Sequence, residues 1–544
     1  MPNPPLIEAV TRIPQKLQSI KILARAGLVP IPRLDEGVRA LRHIRRIGPI
    51  AGAVRMAARR DGGRDGLVDE RGPLTFLQLE RRSNALARAF AERGIGEDSV
   101  IGVLCRDHRG LVDAMLAAGK LGARLVLMNT GFAKPQFADV VEREQVSALV
   151  HDEEFTELLS VVDDALPRYL AWVEDESAGG DVRTLDELIA GTDDRPPPAP
   201  RAAGGLVLLT SGTTGTPKGA PRQVKSGLSA AQFLDRIPLR ANECTVLAAP
   251  IFHGTGLTQF ILSFALGCKV VLRRRFDPEA TVKMVHDNKA TELVLVPTML
   301  QRILDLDEEV LSRYDTSSLR IVFSAGSALS PELGNRATEA FGEVVYNLYG
   351  STEVAVATVA TPADWRAAPG TVGKAPCGCR VVLYDERGTR ITQPDVVGRV
   401  FVGSDLAFGG YTDGRTKEMI DGLLASGDVG HFDADGRLFI DGRDDEMIVS
   451  GGENVYPIEV ENLLAEHPGV TEAAVVGVPD PDFGQRLRAF VVRRAGAELD
   501  EGTLKEHVKA NLARYKVPRD IRFLDVLPRN ATGKLLRAQL AEMD

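Results

Sequence analysis

Between Thr75 and Gly94 apolar side chains return every three to four positions, with Leu79, Leu86 and Phe90 on one side, and this spacing predicts a helix. Ser99–Cys105 is an almost unbroken apolar run and reads as a buried strand; a helix around Leu111–Leu121 and a strand over Arg124–Met128 follow. Proline-rich residues 191–205 read as a linker. Beyond them the alternation resumes, with strands at Thr245–Ala249, Lys269–Leu272, Glu292–Val296 and Arg320–Ser324. Helices are expected from Gln259, over Pro278–Asn288 and over Pro331–Phe341. Such alternation predicts layered α/β structure with parallel strands. Over residues 380–441 the chain turns strand-and-turn rich (Arg380–Tyr384, Gly398–Val402, Gly436–Ile440), with Asp433-Ala434-Asp435-Gly436 as a hairpin signal. The last hundred residues read as a compact α+β unit, and no internal repeat is visible.

A chain of 544 residues exceeds one ordinary core, so at least two domains are expected. No apolar run reaches membrane-span length, and the start lacks the apolar core of a secretory signal. Five cysteines, an odd number, argue against a disulfide framework; Cys377 and Cys379 have no second pair to complete a zinc site and read as free thiols. A cytoplasmic protein is expected. The net charge of −9 conceals an asymmetry: residues 1–64 carry thirteen basic against four acidic side chains, a local +9. Val38, Leu41, Ile44 and Ile47 recur among the arginines at a spacing that drifts around a helix. A basic helix packed on the acidic body is expected; peripheral contact with an anionic membrane is the alternative.

The strongest chemical signal is Leu208–Ala220. An apolar run leads into Thr210, Ser211, Gly212, Thr213, Thr214, Gly215, Thr216, Pro217, Lys218 and Gly219. Glycines let backbone N–H groups converge, hydroxyls add donors, and Lys218 adds positive charge, which together make a polyphosphate cradle. It is not a Walker A loop, because Pro217 precedes the lysine and Gly219 follows it. The full string resembles the phosphate loop of the adenylate-forming superfamily, which comprises acyl-CoA synthetases, peptide-synthetase adenylation domains and luciferases.

Further segments match that superfamily in order. Phe252, His253 and Gly254, in Ala249–Gly256, resemble the motif lining the acyl pocket and its entrance. Gly326, Ser327 and Ala328 resemble the segment whose backbone lies against adenine. In Tyr346–Glu353 the resemblance implies that Tyr349 stacks on adenine, with Gly350 and Ser351 beside the nucleotide, that Thr352 bonds the α-phosphate, and that Glu353 ligates Mg²⁺. Asp428, in Ser426-Gly427-Asp428, would bind both ribose hydroxyls and Arg443 would contact ribose. Asp445 aligns with the pivot between two domains, to within one residue, since Asp444 and Glu446 flank it where the family differs. Gly451 and Gly452 would face CoA, and Lys534 resembles the mobile catalytic lysine.

The resemblance implies a large N-terminal domain of layered α/β subdomains plus a β-rich subdomain, and a small mobile α+β C-terminal domain. The expected boundaries are a basic extension at 1–64, the adenylate-forming domain at 65–444 and the mobile domain at 445–544. It implies two half-reactions: ATP·Mg²⁺ and a carboxylate give acyl-AMP, with Lys218, Thr352, Glu353 and Lys534 offsetting charge, and rotation about Asp445 then admits coenzyme A. The partners implied are small molecules and no nucleic acid. The basic extension resembles that of some bacterial fatty-acid–CoA ligases, so a medium- to long-chain fatty acid is expected. An aryl acid is the runner-up, and an acyl-AMP ligase loading a carrier protein and a degenerate nucleotide sensor are the rivals.

Overall fold

The computed structural model describes the chain apart from residues 1–3, 29–33, 175–181, 211–217, 223–227, 409, 412–413, 415, 451–452, 481–483, 531–532 and 544; side chains at 4–14, 34–41, 210, 218, 221–222 and 454 are also outside the description. The arginine-rich start forms α1 (Pro4–Ala26) and α2 (Leu34–Asp61), the latter kinked at Gly48-Pro49. Ile47, Ile50, Ala51 and Val54 of α2, and Ile22, Leu23 and Ala26 of α1, are buried in the largest core. Burying Ile47, Ile50 and Val54 contributes roughly 1.5–3 kcal/mol each, a substantial sum beside a typical net stability of about 5–15 kcal/mol. The expected helix packed on the body is therefore found for the described part of this segment. Of the apolar stripe, Ile47 is buried, Ile44 half-buried, and Val38 and Leu41 lie outside the described side chains.

Thr75 and Gln78 cap each other's backbone N–H groups and start α3 (Phe76–Ala91), which buries Leu79, Leu86 and Phe90 completely. His108 caps α4 (Arg109–Leu121) through Nδ1, which accepts from Gly110 N–H at 3.0 Å, while Nε2 bonds Asp152 at 2.7 Å. A Cβ on Gly119 of α4 would lie 2.6 Å from the Ile47 carbonyl, so only glycine lets α2 and α4 approach this closely.

Two sheets flank this helical layer. The first runs Arg168–Trp172, Ala148–Asp152, Val100–Leu104, Arg124–Leu127, β1 (Leu206–Thr210) and β2 (Lys218–Arg222), parallel except for the β1–β2 pair. The second has β3 (Cys244–Leu247), β4 (Glu292–Leu295), β5 (Ile321–Ala325) and β6 (Val345–Tyr349) at its parallel centre, in the order β6-β5-β4-β3. Helix α5 (Gly254–Ala265) packs on this sheet and on α2. It starts five residues before the expected Gln259, because the Gly-Thr-Gly opening carries no apolar period.

The strand-rich stretch forms an antiparallel sheet in which β7 (Leu423–Phe432) pairs with β8 (Leu438–Arg443). The hairpin expected at Asp433–Gly436 is present, closed by Gly436 N–H on Asp433 C=O with Gly436 at φ +75°. That turn pushes the start of β8 to Leu438 from the expected Gly436. After β9 (Ile448–Ser450) the chain builds a sheet with its own hydrophobic core, centred on Val455, Val460, Leu464, Val491 and Leu504. Among the described residues no helix is long and apolar enough to cross a membrane, and all five cysteines are free.

Candidate active site

The predicted phosphate loop joins two adjacent antiparallel strands, with Thr210 opposite Lys218. The chain thus continues into a strand after this segment, whereas a Walker A loop opens a helix. Ser211, Gly212, Thr213, Thr214 and Gly215 lie outside the described residues, as do the side chains of Thr210 and Lys218 and the residues Gly451 and Gly452.

The next segment leaves the end of β6 in a tight turn. A Cβ on Gly350 would sit 2.1 Å from the Ala355 carbonyl, so no other residue fits. Ser351 accepts through Oγ from Glu353 N–H (3.2 Å) and donates to Glu353 Oε2 (2.8 Å). Tyr411 donates to Glu353 Oε1 at 2.6 Å. Burial pushes the Glu353 carboxyl up, but the Lys417 charge and the Tyr411 and Ser351 hydrogen bonds outweigh it, and the group is held below the ordinary range. Glu353 is therefore ionised and fixed. One hard, ionised carboxylate of this kind suits Mg²⁺, which takes oxygen ligands and keeps several waters. Thr352 is half-buried in the same turn.

The β7–β8 register places Asp428 directly opposite Arg443, with Arg443 Nη1 3.6 Å from Asp428 Oδ1. Tyr349 donates its hydroxyl to Asp428 Oδ2, which ties the end of β6 to β7. Tyr349 thus orients the predicted ribose-binding carboxylate in addition to presenting a ring. Lys417 bonds the Ser426 carbonyl at 2.8 Å, next to Gly427 at φ +89°.

Lys534 reaches this cluster from the C-terminal unit. Asn530 and Gly533 close a tight loop: Gly533 N–H bonds Asn530 C=O, and Asn530 Oδ1 accepts from Lys534 N–H, both at 2.9 Å. A Cβ on Gly533 would lie 2.6 Å from Thr298 Oγ1, so the loop seats against the large unit. The residue is exposed overall, yet its ammonium lies where Arg443, Lys417, Glu353, Asp428 and His253 all feel it. Burial, then the Arg443 charge, hold its pKa below the ordinary lysine value, while Glu353 and Asp428 pull the other way.

Beside His253, Gly326 (φ +96°) follows the end of β5. A Cβ there would be 3.8 Å from His253 Cε1 and 3.4 Å from Thr255 Oγ1. His253 is pushed down to about 4 by burial and then by Lys534, so its imidazole is neutral. Gly254 is half-buried, Ser327 half-buried and Ala328 exposed. Phe252 is 8% exposed and packs in the main core. Asp107, buried and pushed up to about 7 by that burial, accepts from Ile251 N–H at 3.1 Å and holds this segment in place. Asp107, Tyr411 and Lys417 escaped the sequence reading. None sits in a recognisable string; Tyr411 alone carries a signal, an aromatic side chain in a glycine-rich turn.

The turn Asp444–Glu446 connects the two units. Asp444 pairs with Arg399 of the large unit at 3.3 Å, and Glu446 pairs with Arg537 of the C-terminal unit at 2.9 Å. Asp445 lies between them and pairs with Arg443 at 3.0 Å.

The family model described as AMP-binding enzyme matches residues 54–412, and that of the AMP-binding enzyme C-terminal domain matches residues 459–534. The chain is 32% identical over 479 residues to an indoleacetate–CoA ligase of Aromatoleum aromaticum (strain DSM 19018 / LMG 30748 / EbN1), covering 86% of this chain and 93% of the relative. It is 30% identical over 485 residues to a fatty acid–[acyl-carrier-protein] ligase of Streptomyces coeruleorubidus, covering 86% and 91%. The crystal structure of an anthranilate CoA ligase in complex with anthranoyl-AMP superposes with a TM-score of 0.82 at 26% identity, covering 91% of this chain and 96% of that one.

Proposed function

This chain belongs to the AMP-binding enzyme family, and on that premise we propose that Lys534 and the Asp444–Glu446 turn divide its two half-reactions. It activates a carboxylic acid with ATP through an acyl-adenylate and passes the acyl group to coenzyme A. In the first step a carboxylate oxygen bonds the α-phosphorus and pyrophosphate leaves. The chain contributes positioning and charge rather than a nucleophile. Asp428 and Arg443 hold ribose, Tyr349 fixes Asp428, and Lys534 faces the reacting oxygens with Lys218 and Thr352 on the phosphate side. Glu353 would hold Mg²⁺, which when bound neutralises phosphate charge. In the second step the C-terminal unit turns about Asp445 and withdraws Lys534. The thiol sulfur then bonds the acyl carbon, AMP leaves, and Gly451 and Gly452 line the thiol's path.

The observation carrying this reading is that the Gly533–Lys534 segment seats against Thr298 of the large unit, where the Lys534 ammonium feels the charges of Glu353, Asp428 and Arg443. For the acid, the indoleacetate and anthranilate relatives support a ring acid, and the fatty-acid relative supports the medium- to long-chain acid expected from the basic extension. The test is acid-dependent pyrophosphate release across aryl, arylacetic and C8–C16 acids, followed by thioester formation with coenzyme A or a carrier protein. Acid-dependent pyrophosphate with thioester on coenzyme A is expected. Absence of pyrophosphate with every acid would return the chain to a nucleotide sensor, and thioester only on a carrier protein would replace the acceptor.

The first two helices expose the cations Lys16, Lys21, Arg25, Arg42, Arg45 and Arg46, and Leu17 of α1 is 57% exposed, which supports peripheral contact with an anionic membrane. Deleting residues 1–64 is a poor test, since it strips buried Ile47, Ile50 and Val54 from the core. Reversing Arg42, Arg45 and Arg46 to glutamate spares that core. The intact protein should bind phosphatidylglycerol vesicles less tightly as salt rises, and the triple variant should lose binding while keeping ATP-dependent activity. Equal binding by both proteins would remove the membrane role.

A further inference from the structure

Helix α5 carries a polar stripe into the interior. Thr255, Gln259 and Ser263 stand at successive four-residue steps and so share one face. The outer end of the stripe is beside the His253 segment read as acyl pocket: the Cβ position of Gly326 lies 3.4 Å from Thr255 Oγ1 and 3.8 Å from His253 Cε1. The inner end is hydrogen-bonded: Ser263 Oγ bonds Thr245 Oγ1 on β3 at 3.0 Å, and Thr245 bonds Glu292 Oε2 on β4 at 2.7 Å, while Glu292 Oε1 has no partner among the described residues. These contacts show that the stripe faces the β3–β4–β5 sheet rather than α2. Gln259 sits between the two ends, about 6 Å along the helix axis from Thr255. It is 0% exposed, and neither Oε1 nor Nε2 has a hydrogen-bond partner among the described residues.

A buried carboxamide with both ends unpaired is costly in a fold, because such groups give up their hydration and gain nothing. A leucine or methionine would fill the same helix–sheet layer at no such cost. The Thr255 end of the stripe lies at the carboxyl end of β5, on the side of the sheet where open α/β folds bind ligands, and the amide sits about one helical turn deeper. An acyl chain entering between α5 and the sheet with its carboxylate toward His253 and Lys534 runs toward it.

We propose that Gln259 is a specificity-determining residue of the acyl site, and that the acid this enzyme activates carries a hydrogen-bonding group, such as a ring hydroxyl, carbonyl or N–H, on its acyl body. The inference rests on the acid-activating reading above and narrows its substrate class: an unsubstituted alkyl chain leaves the amide unpaired, and a substituted ring acid satisfies it. A site built to bond a polar group rejects the analogue lacking it far more strongly than an apolar pocket rejects a missing methylene.

The test compares matched acids in the pyrophosphate-release assay: indole-3-acetate against 1-naphthylacetate, 4-hydroxybenzoate against benzoate, and decanoate as the plain alkyl acid. Wild-type enzyme is expected to favour the hydrogen-bonding member of at least one pair by about tenfold or more in kcat/KM. Gln259→Met, which keeps the unbranched shape, should bring that ratio close to one, and Gln259→Leu should do the same. The unliganded methionine variant should melt at or above the wild-type temperature, since it removes an unpaired buried amide. A wild type that favours decanoate or the unsubstituted ring overturns the inference and leaves the ligase reading intact. So does a preference that survives in both variants, or a methionine variant that melts more than about 5 °C lower, which assigns the amide a structural role. A wild type inert with every acid overturns the ligase reading, and the inference with it.

Discussion

Lys534→Ala is expected to slow acyl-AMP formation by about 10²–10³-fold, the loss typical of removing one group aimed at developing transition-state charge. Thioester formation from supplied acyl-AMP should be largely retained. The first step builds negative charge between the carboxylate and α-phosphate, and the Lys534 ammonium stands in that cleft with Glu353, Asp428 and Arg443. In the proposed second step the bond to AMP breaks after Lys534 has left. Pyrophosphate release and thioester formation, measured separately on the variant, check the division. An equal loss in both steps would mean that the lysine supports the fold of the cleft instead. A pH signature accompanies this. The working form is the ammonium, and its pKa lies below the ordinary lysine value through burial and the Arg443 charge. Adenylation should therefore be full below that depressed pKa and fall as pH rises through it. Lys534→Arg, which stays charged, should lose this alkaline limb whatever its absolute rate.

Asp445→Pro is expected to do the reverse: adenylation persists and transfer to coenzyme A drops by about 100-fold. Proline holds φ near −65°, a value compatible with the 3₁₀ turn that Asp444–Glu446 now forms. The present arrangement, with Lys534 in the cleft, is thus tolerated. A rotated turn needs another φ, and a penalty of about 3 kcal/mol there corresponds to about 100-fold in rate. The ion pairs on either side favour this position: Asp444 is tethered to the large unit through Arg399 and Glu446 to the small unit through Arg537. Normal rates for both steps would move the pivot, and Asp444→Pro and Glu446→Pro then identify it.

Much of the architecture was legible because it is written in local windows. The α3 helix follows from its apolar stripe and the Thr75–Gln78 cap, both contained in a few turns of chain. Helices Pro278–Asn288 and Pro331–Phe341 match their expected bounds, because each opens on proline after a capping Asp277 or Ser330. The hairpin at Asp433–Gly436 does more. It sets the β7–β8 register as far as Gly430–Ile440, and a bulge between Val429 and Gly430 then shifts that register by one residue, which brings Asp428 opposite Arg443. Gly350 was likewise part of a recognised string, and the structure supplies its reason in the 2.1 Å approach of the Ala355 carbonyl.

What the chain alone determined, then, is the kind of element at each place and the chemistry of the short strings: helix and strand periods, caps, turns, and the glycine-rich and acidic segments. These depend on neighbours within one or two turns. The tertiary structure decided what those strings meet. It buried one face of the arginine-rich α2 against α3, α4 and α5. It put Tyr411 and Lys417 beside Glu353, used Asp107 to pin the His253 segment, and left the Gln259 amide without a partner among the described residues. Each of these outcomes depends on sheet order and on partners up to hundreds of residues away, and no local period encodes such a partner.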